Sequence, residues 1–210
     1  MAGKSSIPGL TLLIMLHVIL VLGFIGEQWV NGALERERSS NEAFFGESQA
    51  RYAEQRANQW FSGLLVDTGI SSALFGSMLP TEEYNDAISE SSAFTPFFTW
   101  WEGRLRTWWT LLYQAFLRIS TALLWMPYAL FVMAPFIVDG AIRRKIKQTD
   151  FRMASPLQHR LNVLAIKAVV LGYAVLLFLP IALKPIFLPL LILVTGAALG
   201  NAVGHFAKRA

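Results

Sequence analysis

The feature that most constrains this chain is a set of four apolar segments, each long enough to cross a bilayer. No charged residue falls between Lys4 and Glu27, and at ~1.5 Å per helical residue that gap exceeds the ~30 Å hydrocarbon core of a membrane. Further apolar stretches occupy about 119–138, 157–179 and 186–203. Charged residues make up 15% of the 210 residues, against roughly 25% in soluble domains. We therefore predict an all-α, four-helix integral membrane protein.

A cleaved signal peptide is the competing interpretation of the first segment, because one Lys precedes its apolar run. The cleavage region around Val30 and Ala33 lacks the small-x-small pattern, since Asn31 occupies the −3 position. We therefore expect an uncleaved anchor.

The distribution of Lys and Arg predicts the orientation. Residues 140–160 carry six Lys and Arg residues and a single acid, and both termini carry further basic residues. Since such residues concentrate on the cytoplasmic side, we place all three regions inside the cell, which makes the first long loop periplasmic if the cell is Gram-negative. The segment between the first two spans contains twelve acidic against six basic residues and is placed outside. The predicted divisions are 1–26 (cytoplasmic N-terminus and first span), 27–106 (periplasmic segment), 107–139 (interfacial helix and second span), 140–160 (basic cytoplasmic loop) and 161–210 (hairpin of the last two spans and cytoplasmic C-terminus).

The second apolar segment is too long for one perpendicular span, because apolar character extends from 97 to 138. Its cleanest part, 119–138, is assigned to the membrane, and 97–117 is predicted to be a helix near the interface. Aromatic rings with a polar N–H suit that depth. The interfacial residues are Trp100, Trp101, Trp108 and Trp109.

The outer segment contains one amphipathic pattern, over 42–65. Ala53, Ala57, Trp60, Phe61 and Leu64 fall on one helical face. The stretch that follows is predicted to be loop, with one short helix at 72–78. Because the segment is poor in apolar residues, it is expected to pack on the outer ends of the spans or on a partner.

Several charged groups lie in or near the spans. His17 is expected to be a neutral, hydrogen-bonded imidazole rather than part of a proton relay. Arg118 and Lys167 are expected to extend towards the outer and inner interfaces respectively. Asp139 and Arg143 lie four residues apart, which suits an ion pair on one helix.

Glycines repeat every four residues along the last segment, at Gly196, Gly200 and Gly204. Such a stripe allows close helix approach in lipid, where no hydrophobic force drives helices together. It serves either packing within the chain, which is slightly favoured, or homo-oligomerisation.

The basic inner loop is the most distinctive polar feature. It is predicted to continue the second span as a helix into the cytosol, where it contacts anionic phospholipids or a protein partner. Direct contact with nucleic acid is not favoured, because no aromatic residues interleave the cations. Without cysteine or any common catalytic motif, the sequence predicts no enzyme, no metal and no cofactor.

This region resembles a family of inner-membrane proteins encoded by integrating conjugative elements and related plasmids. The resemblance lies in an Asp-Gly-x-x-Arg-Arg stretch at 139–144, a Ser-x-x-x-His-Arg stretch at 155–160, and the hairpin between Pro180 and Pro185. It covers the C-terminal part of the chain closely and the first half only in layout. Residue 154 is Ala where the family more often has Glu, so this chain lacks any role of that acid.

The resemblance implies a part in conjugative DNA transfer through a type IV secretion apparatus, in association with the coupling ATPase or another membrane subunit. The implied docking surface comprises Asp139, Arg143, Arg144, Lys145, His159 and Arg160. A small membrane transporter or channel subunit is the alternative. It requires polar groups that converge inside the helix bundle, and the sequence supplies few.

Overall fold

The computed structural model describes residues 23–78, 95–149 and 156–204, and within them the regular secondary structure is helical, without strands. The first apolar segment, with His17, lies outside them. The helices are α1 (Glu27–Phe45), α2 (Glu47–Phe61), α3 (Ile70–Met78), α4 (Thr95–Leu124), α5 (Met126–Thr149), α6 (Pro156–Phe178) and α7 (Phe187–Gly204), with a π-helical turn at Ser62–Val66 between α2 and α3.

Two helices within the described ranges are long and apolar enough to cross a membrane. They are Met126–Ile146 in α5 and Phe187–Gly204, which is α7. Lys167–Phe178 in α6 forms a shorter apolar stretch. The all-α class is therefore confirmed, whereas the four-span arrangement stays a prediction.

The stretch 42–65, predicted as one amphipathic helix, is divided between the end of α1, the whole of α2 and the π-helical turn. Gly46 ends α1 at φ +81°, a backbone conformation that favours glycine because it has no Cβ. The chain then turns into α2, where Ala53 and Ala57 are buried as predicted, while Leu64 is 57% exposed. Both α1 and α2 pack on α4, as expected for a segment without a large core of its own.

Helices α1 and α4 pack side by side along two matching stripes. They run in parallel, since Val30 packs on Leu111 and Asn41 donates to the Thr121 hydroxyl further along both helices. The buried stripe of α1 is Val30, Leu34, Glu37 and Asn41, and that of α4 is Thr107, Leu111, Gln114, Arg118 and Thr121. Both follow alternating steps of four and three residues, the spacing that keeps one helix face against a partner.

The division between α4 and α5 falls later than predicted. We expected a boundary near residue 118, but α4 continues to Leu124 and α5 begins at Met126. Pro127 explains the position of the break, because it has no N–H to donate to the carbonyl of Leu123 and its ring clashes with that carbonyl. Pro135 lies inside α5 without ending it.

Helices α5 and α7 form the most extensive helix pair and approach each other at their glycines. A Cβ at Gly196 would lie 2.9 Å from the Phe136 ring, and one at Gly200 would lie 2.5 Å from the Phe136 carbonyl oxygen. A Cβ at Gly140 would overlap the Gly200 backbone itself. The glycine stripe thus makes an intramolecular contact, in which Gly140 is the facing residue on α5.

Candidate functional site

A buried ion pair joins α1 to α4. Glu37 and Arg118 are 2% and 6% exposed. The Arg118 Nε donates to Glu37 Oε1 at 2.9 Å, and Nη2 donates to Oε2 at 2.8 Å. Gln114, which is fully buried, donates from Nε2 to Glu37 Oε2 at 2.7 Å. The expectation that Arg118 extends to an interface was therefore wrong, because a buried carboxylate on the neighbouring helix binds its guanidinium.

The same guanidinium binds the carboxyl end of α6. Its Nη1 donates to the carbonyls of Leu177 at 3.1 Å and Leu179 at 2.9 Å, and also to that of Leu176. Its Nη2 donates to the carbonyl of Ile181. The last carbonyls of a helix have no partner within it and carry partial negative charge. Arg118 thus supplies from α4 the donors that the end of α6 lacks.

Further contacts hold the turn between α6 and α7 on α1. The Leu183 backbone N–H donates to Glu37 Oε2 at 3.3 Å, and the Trp29 indole N–H donates to the Pro180 carbonyl at 2.8 Å. We call Glu37, Gln114 and Arg118, with the 176–183 backbone that they bind, the Arg118 clamp. Through this clamp α1 and α4 fix the position of the α6–α7 hairpin.

A second polar group, centred on Arg38, joins α1 to both α2 and α4. Arg38 pairs with Glu54 at 2.7 Å and donates to the Tyr113 hydroxyl at 3.2 Å. Burial raises the pKa of Tyr113 above its usual range, although the Arg38 guanidinium opposes the shift. Burial alone would lower the pKa of Arg38, but the hydrogen bond to Tyr113 and the charges around it raise it overall.

The predicted docking residues of α5 lie at its carboxyl-terminal end. Arg143 pairs with Asp139, as predicted, and both side chains are about half exposed. Arg143 also donates to Asn201 Oδ1 of α7 at 3.5 Å, and its Cβ would lie 3.7 Å from a Cβ placed on Gly204. Lys145 is exposed and Arg144 is half-buried.

His159 and Arg160 lie in the first turns of α6. Because Tyr173 of α6 contacts Thr195 of α7 across the hairpin, α6 runs antiparallel to α7, and its start lies towards the end where α7 meets Arg143. The backbone therefore brings the two halves of the predicted surface to one end of the helices. We call this set the basic end: Asp139, Arg143, Arg144, Lys145, His159 and Arg160.

The four tryptophans assigned to an interface lie along the first half of α4. Trp108 packs against the Val30–Leu111 cluster, and Trp109 contacts Phe61 at 5.0 Å between ring centroids. Trp100 is 44% exposed, and Trp101 is half-buried. Two of these rings therefore contribute to packing within the chain, and their depth in a bilayer stays a prediction.

Sequence reasoning missed the role of Glu37, although a signal was present. Glu37 occupies a position where the 30, 34, 37, 41 spacing of α1 calls for a buried side chain, and Gln114 and Arg118 do the same on α4. Polar groups within such a stripe require partners on the facing helix. The sequence analysis did not predict a helix over most of α1, so this stripe was not recognised.

Fold and polar contacts together define an all-helical protein with two candidate membrane helices, a buried ion pair and a basic end. The model of the DtrJ-like family, described as IncC plasmid conjugative DNA transfer protein DtrJ-like, matches residues 21–209. The chain therefore belongs to this family and is a conjugative DNA transfer protein. Comparison with curated proteins and with solved structures gives no significant match.

Proposed function

We propose that the protein is a non-catalytic, multi-pass inner-membrane component of a type IV secretion apparatus that docks the coupling ATPase through its basic end. Membership of a conjugative DNA transfer family supports a role in conjugation. The main support for the docking role is that α5 is one continuous helix, which extends from its apolar stretch into the cations at 143–145. A helix of this kind holds charged groups at a fixed distance from the bilayer.

The packing of α7 gives the α5 part of the basic end, Asp139 and Arg143, a defined position. Close approach at Gly140 and Gly200 sets the distance between α5 and α7, and Asn201 and Asp139 each bind Arg143. Arg143 is thereby held in one orientation, which lowers the entropy lost when a partner binds. An acidic surface on the cytoplasmic part of the ATPase is the partner chemistry that this surface fits, and anionic phospholipid headgroups fit it as well.

The test is co-purification of the coupling ATPase with the tagged full-length protein in mild detergent. Reversing both charges, as Arg143→Glu with Arg144→Glu, is expected to abolish recovery of the ATPase, because like charges then face each other. The control is Arg51→Glu, which reverses one charge at an exposed position of α2 and is compared with Arg143→Glu alone. Undiminished recovery with the double variant, at equal protein levels, would overturn the docking role.

The Arg118 clamp bears on the alternative function, transport, because it brings polar groups together inside the helices. Arg118 directs its donors to Glu37 and to the carbonyls of α6. A carboxylate and a guanidinium that bind each other and the α6 backbone in this way form a structural contact rather than a polar path. We therefore expect proteoliposomes to show no ion flux above protein-free vesicles, and a flux abolished by Glu37→Gln would favour the transport function instead.

A further inference from the structure

A cavity of about 360 Å³ lies between the α4–α5 junction and the α6–α7 hairpin. This volume is within the ~300–1,000 Å³ of ordinary ligand pockets. Its walls are mainly aliphatic and aromatic side chains of α4, α5, α6 and α7. Ile119, Met126 and Phe187 line it and are 40%, 50% and 49% exposed, so the cavity opens among apolar side chains.

Most polar groups on the cavity wall already have partners. Glu37 and Arg118 belong to the clamp, Asn41 donates to the Thr121 hydroxyl at 3.4 Å, and Tyr173 shares a hydrogen bond with Thr195 at 3.3 Å. A polar ligand would have to displace these bonds and would gain little. The interior therefore selects an apolar occupant.

Two lining groups remain available to an occupant. The Trp125 indole N–H is buried and has no acceptor within the described part of the chain, and an unmet buried donor is costly. Lys184, in the turn between α6 and α7, is exposed and forms no ion pair with any described residue. The Trp125 N–H can bind an oxygen acceptor and the Lys184 ammonium can bind an anion. The apolar cavity beside them fits a hydrocarbon chain.

We propose that this cavity binds one acyl chain of an anionic phospholipid. The chain fills the apolar space, an ester carbonyl accepts from the Trp125 N–H, and the phosphate lies by Lys184. The inference rests on the membrane location in the proposed function but not on docking of the ATPase. It differs from contact of lipid headgroups with the basic end, because the cavity adjoins the Arg118 clamp at the opposite end of α7.

The experiment uses the full-length protein alone, in nanodiscs of phosphatidylcholine and phosphatidylglycerol that contain a trace of phosphatidylglycerol with a photoactivatable acyl chain. Label is expected on the cavity walls and should be displaced by unlabelled phosphatidylglycerol but not by glycerol phosphate in solution. Ala129→Trp, which fills the cavity, is expected to lose this label. Ala134→Trp, an exposed α5 position outside the cavity, is the matched control and should keep it.

Lys184→Gln tests the headgroup separately and avoids the core. Since a Lys near a surface contributes ~1 kcal/mol to anionic lipid binding, preference for phosphatidylglycerol over phosphatidylcholine should fall about fivefold. Equal labelling of the two Trp variants, or wild-type protein without label on the cavity walls, would overturn the site. An unchanged preference in Lys184→Gln would overturn the headgroup assignment. Because the ATPase is absent, failure here is distinct from failure of docking.

Discussion

Removal of the Arg118 guanidinium should destabilise the protein more than removal of any exposed charge. In Arg118→Met the Glu37 carboxylate, 2% exposed, stays buried with only the Gln114 amide at 2.7 Å and the Leu183 N–H at 3.3 Å. The carbonyls at the end of α6 lose their donors as well. Breaking a buried ion pair in this way costs about 3–5 kcal/mol.

The expected size of the effect can be measured as a shift in the unfolding midpoint. For a chain of this length, about 2–4 °C of Tm accompanies each kcal/mol, so Arg118→Met should lower Tm by roughly 6–20 °C in detergent. Intrinsic tryptophan fluorescence, or aggregation followed by gel filtration, reports the midpoint. The control is Arg51→Met, which removes an exposed partner of Glu47 and should cost less than ~1 kcal/mol.

A double-mutant cycle separates the ion pair from simple loss of packing. Glu37→Gln should be destabilising alone, yet the double variant Glu37→Gln with Arg118→Met should be less destabilised than the sum, by ~2 kcal/mol or more, because neither change then leaves a buried charge unmatched. An Arg118→Met midpoint within about 2 °C of wild type would refute the argument, since that shift corresponds to no more than ~1 kcal/mol. Strict additivity of the two changes would also refute it.

Two further results are expected. Gly140→Ala should lower the free energy of unfolding by about 1–3 kcal/mol, because the new Cβ would overlap the Gly200 backbone and force α5 from α7. The control Gly172→Ala, where an added Cβ has nothing within 4 Å, should be neutral or stabilising. Thermal unfolding measures both variants. In an alkaline titration followed by tyrosinate absorbance, the component missing from Tyr113→Phe should titrate above the ordinary tyrosine pKa of about 10. The neutral Tyr113 hydroxyl therefore contributes its full stabilisation below the ordinary pKa, and this contribution is lost as pH rises through the folded-state pKa. A Tyr113 component that titrates at or below the ordinary pKa would contradict the assignment.

The helical class and the C-terminal hairpin could be predicted from the sequence, because they depend on local signals. Uninterrupted apolar runs specify α5 and α7, while Pro180 and Pro185 mark the turn. The Asp139–Arg143 pair followed from its i, i+4 spacing on one helix. Each of these features is complete within a short stretch of chain.

The Arg118 clamp could not be predicted in the same way, because Glu37 and Arg118 are 81 residues apart. The mixed polar and apolar composition of α1 hid a buried stripe, and most of α1 precedes residue 42, where the predicted amphipathic helix of the outer segment begins. An Arg beside an apolar run is more often solvated than paired, so only the facing helix could reveal its partner. Gly140 was likewise part of a recognised motif, but its contact with Gly200 depends on tertiary packing.

The position of the first apolar segment relative to the described helices is the point on which topology depends most. Arg104 donates to the Ile25 carbonyl, so the chain enters α1 beside the half of α4 that is farther from α5. The proposed orientation requires residues 27–106 outside the cell and the basic end inside it.

Because the chain has no cysteine, single cysteines can be introduced without a background of native thiols.

Labelling of Gln55→Cys and Lys145→Cys by a membrane-impermeant maleimide is the most direct measurement of the central claim. Both side chains are exposed, one on α2 and the other at the basic end of α5. The account predicts that Gln55→Cys reacts in spheroplasts, whereas Lys145→Cys reacts only after the membrane is opened. Reaction of Lys145→Cys from outside in intact spheroplasts would place the basic end away from any cytoplasmic ATPase and contradict the account.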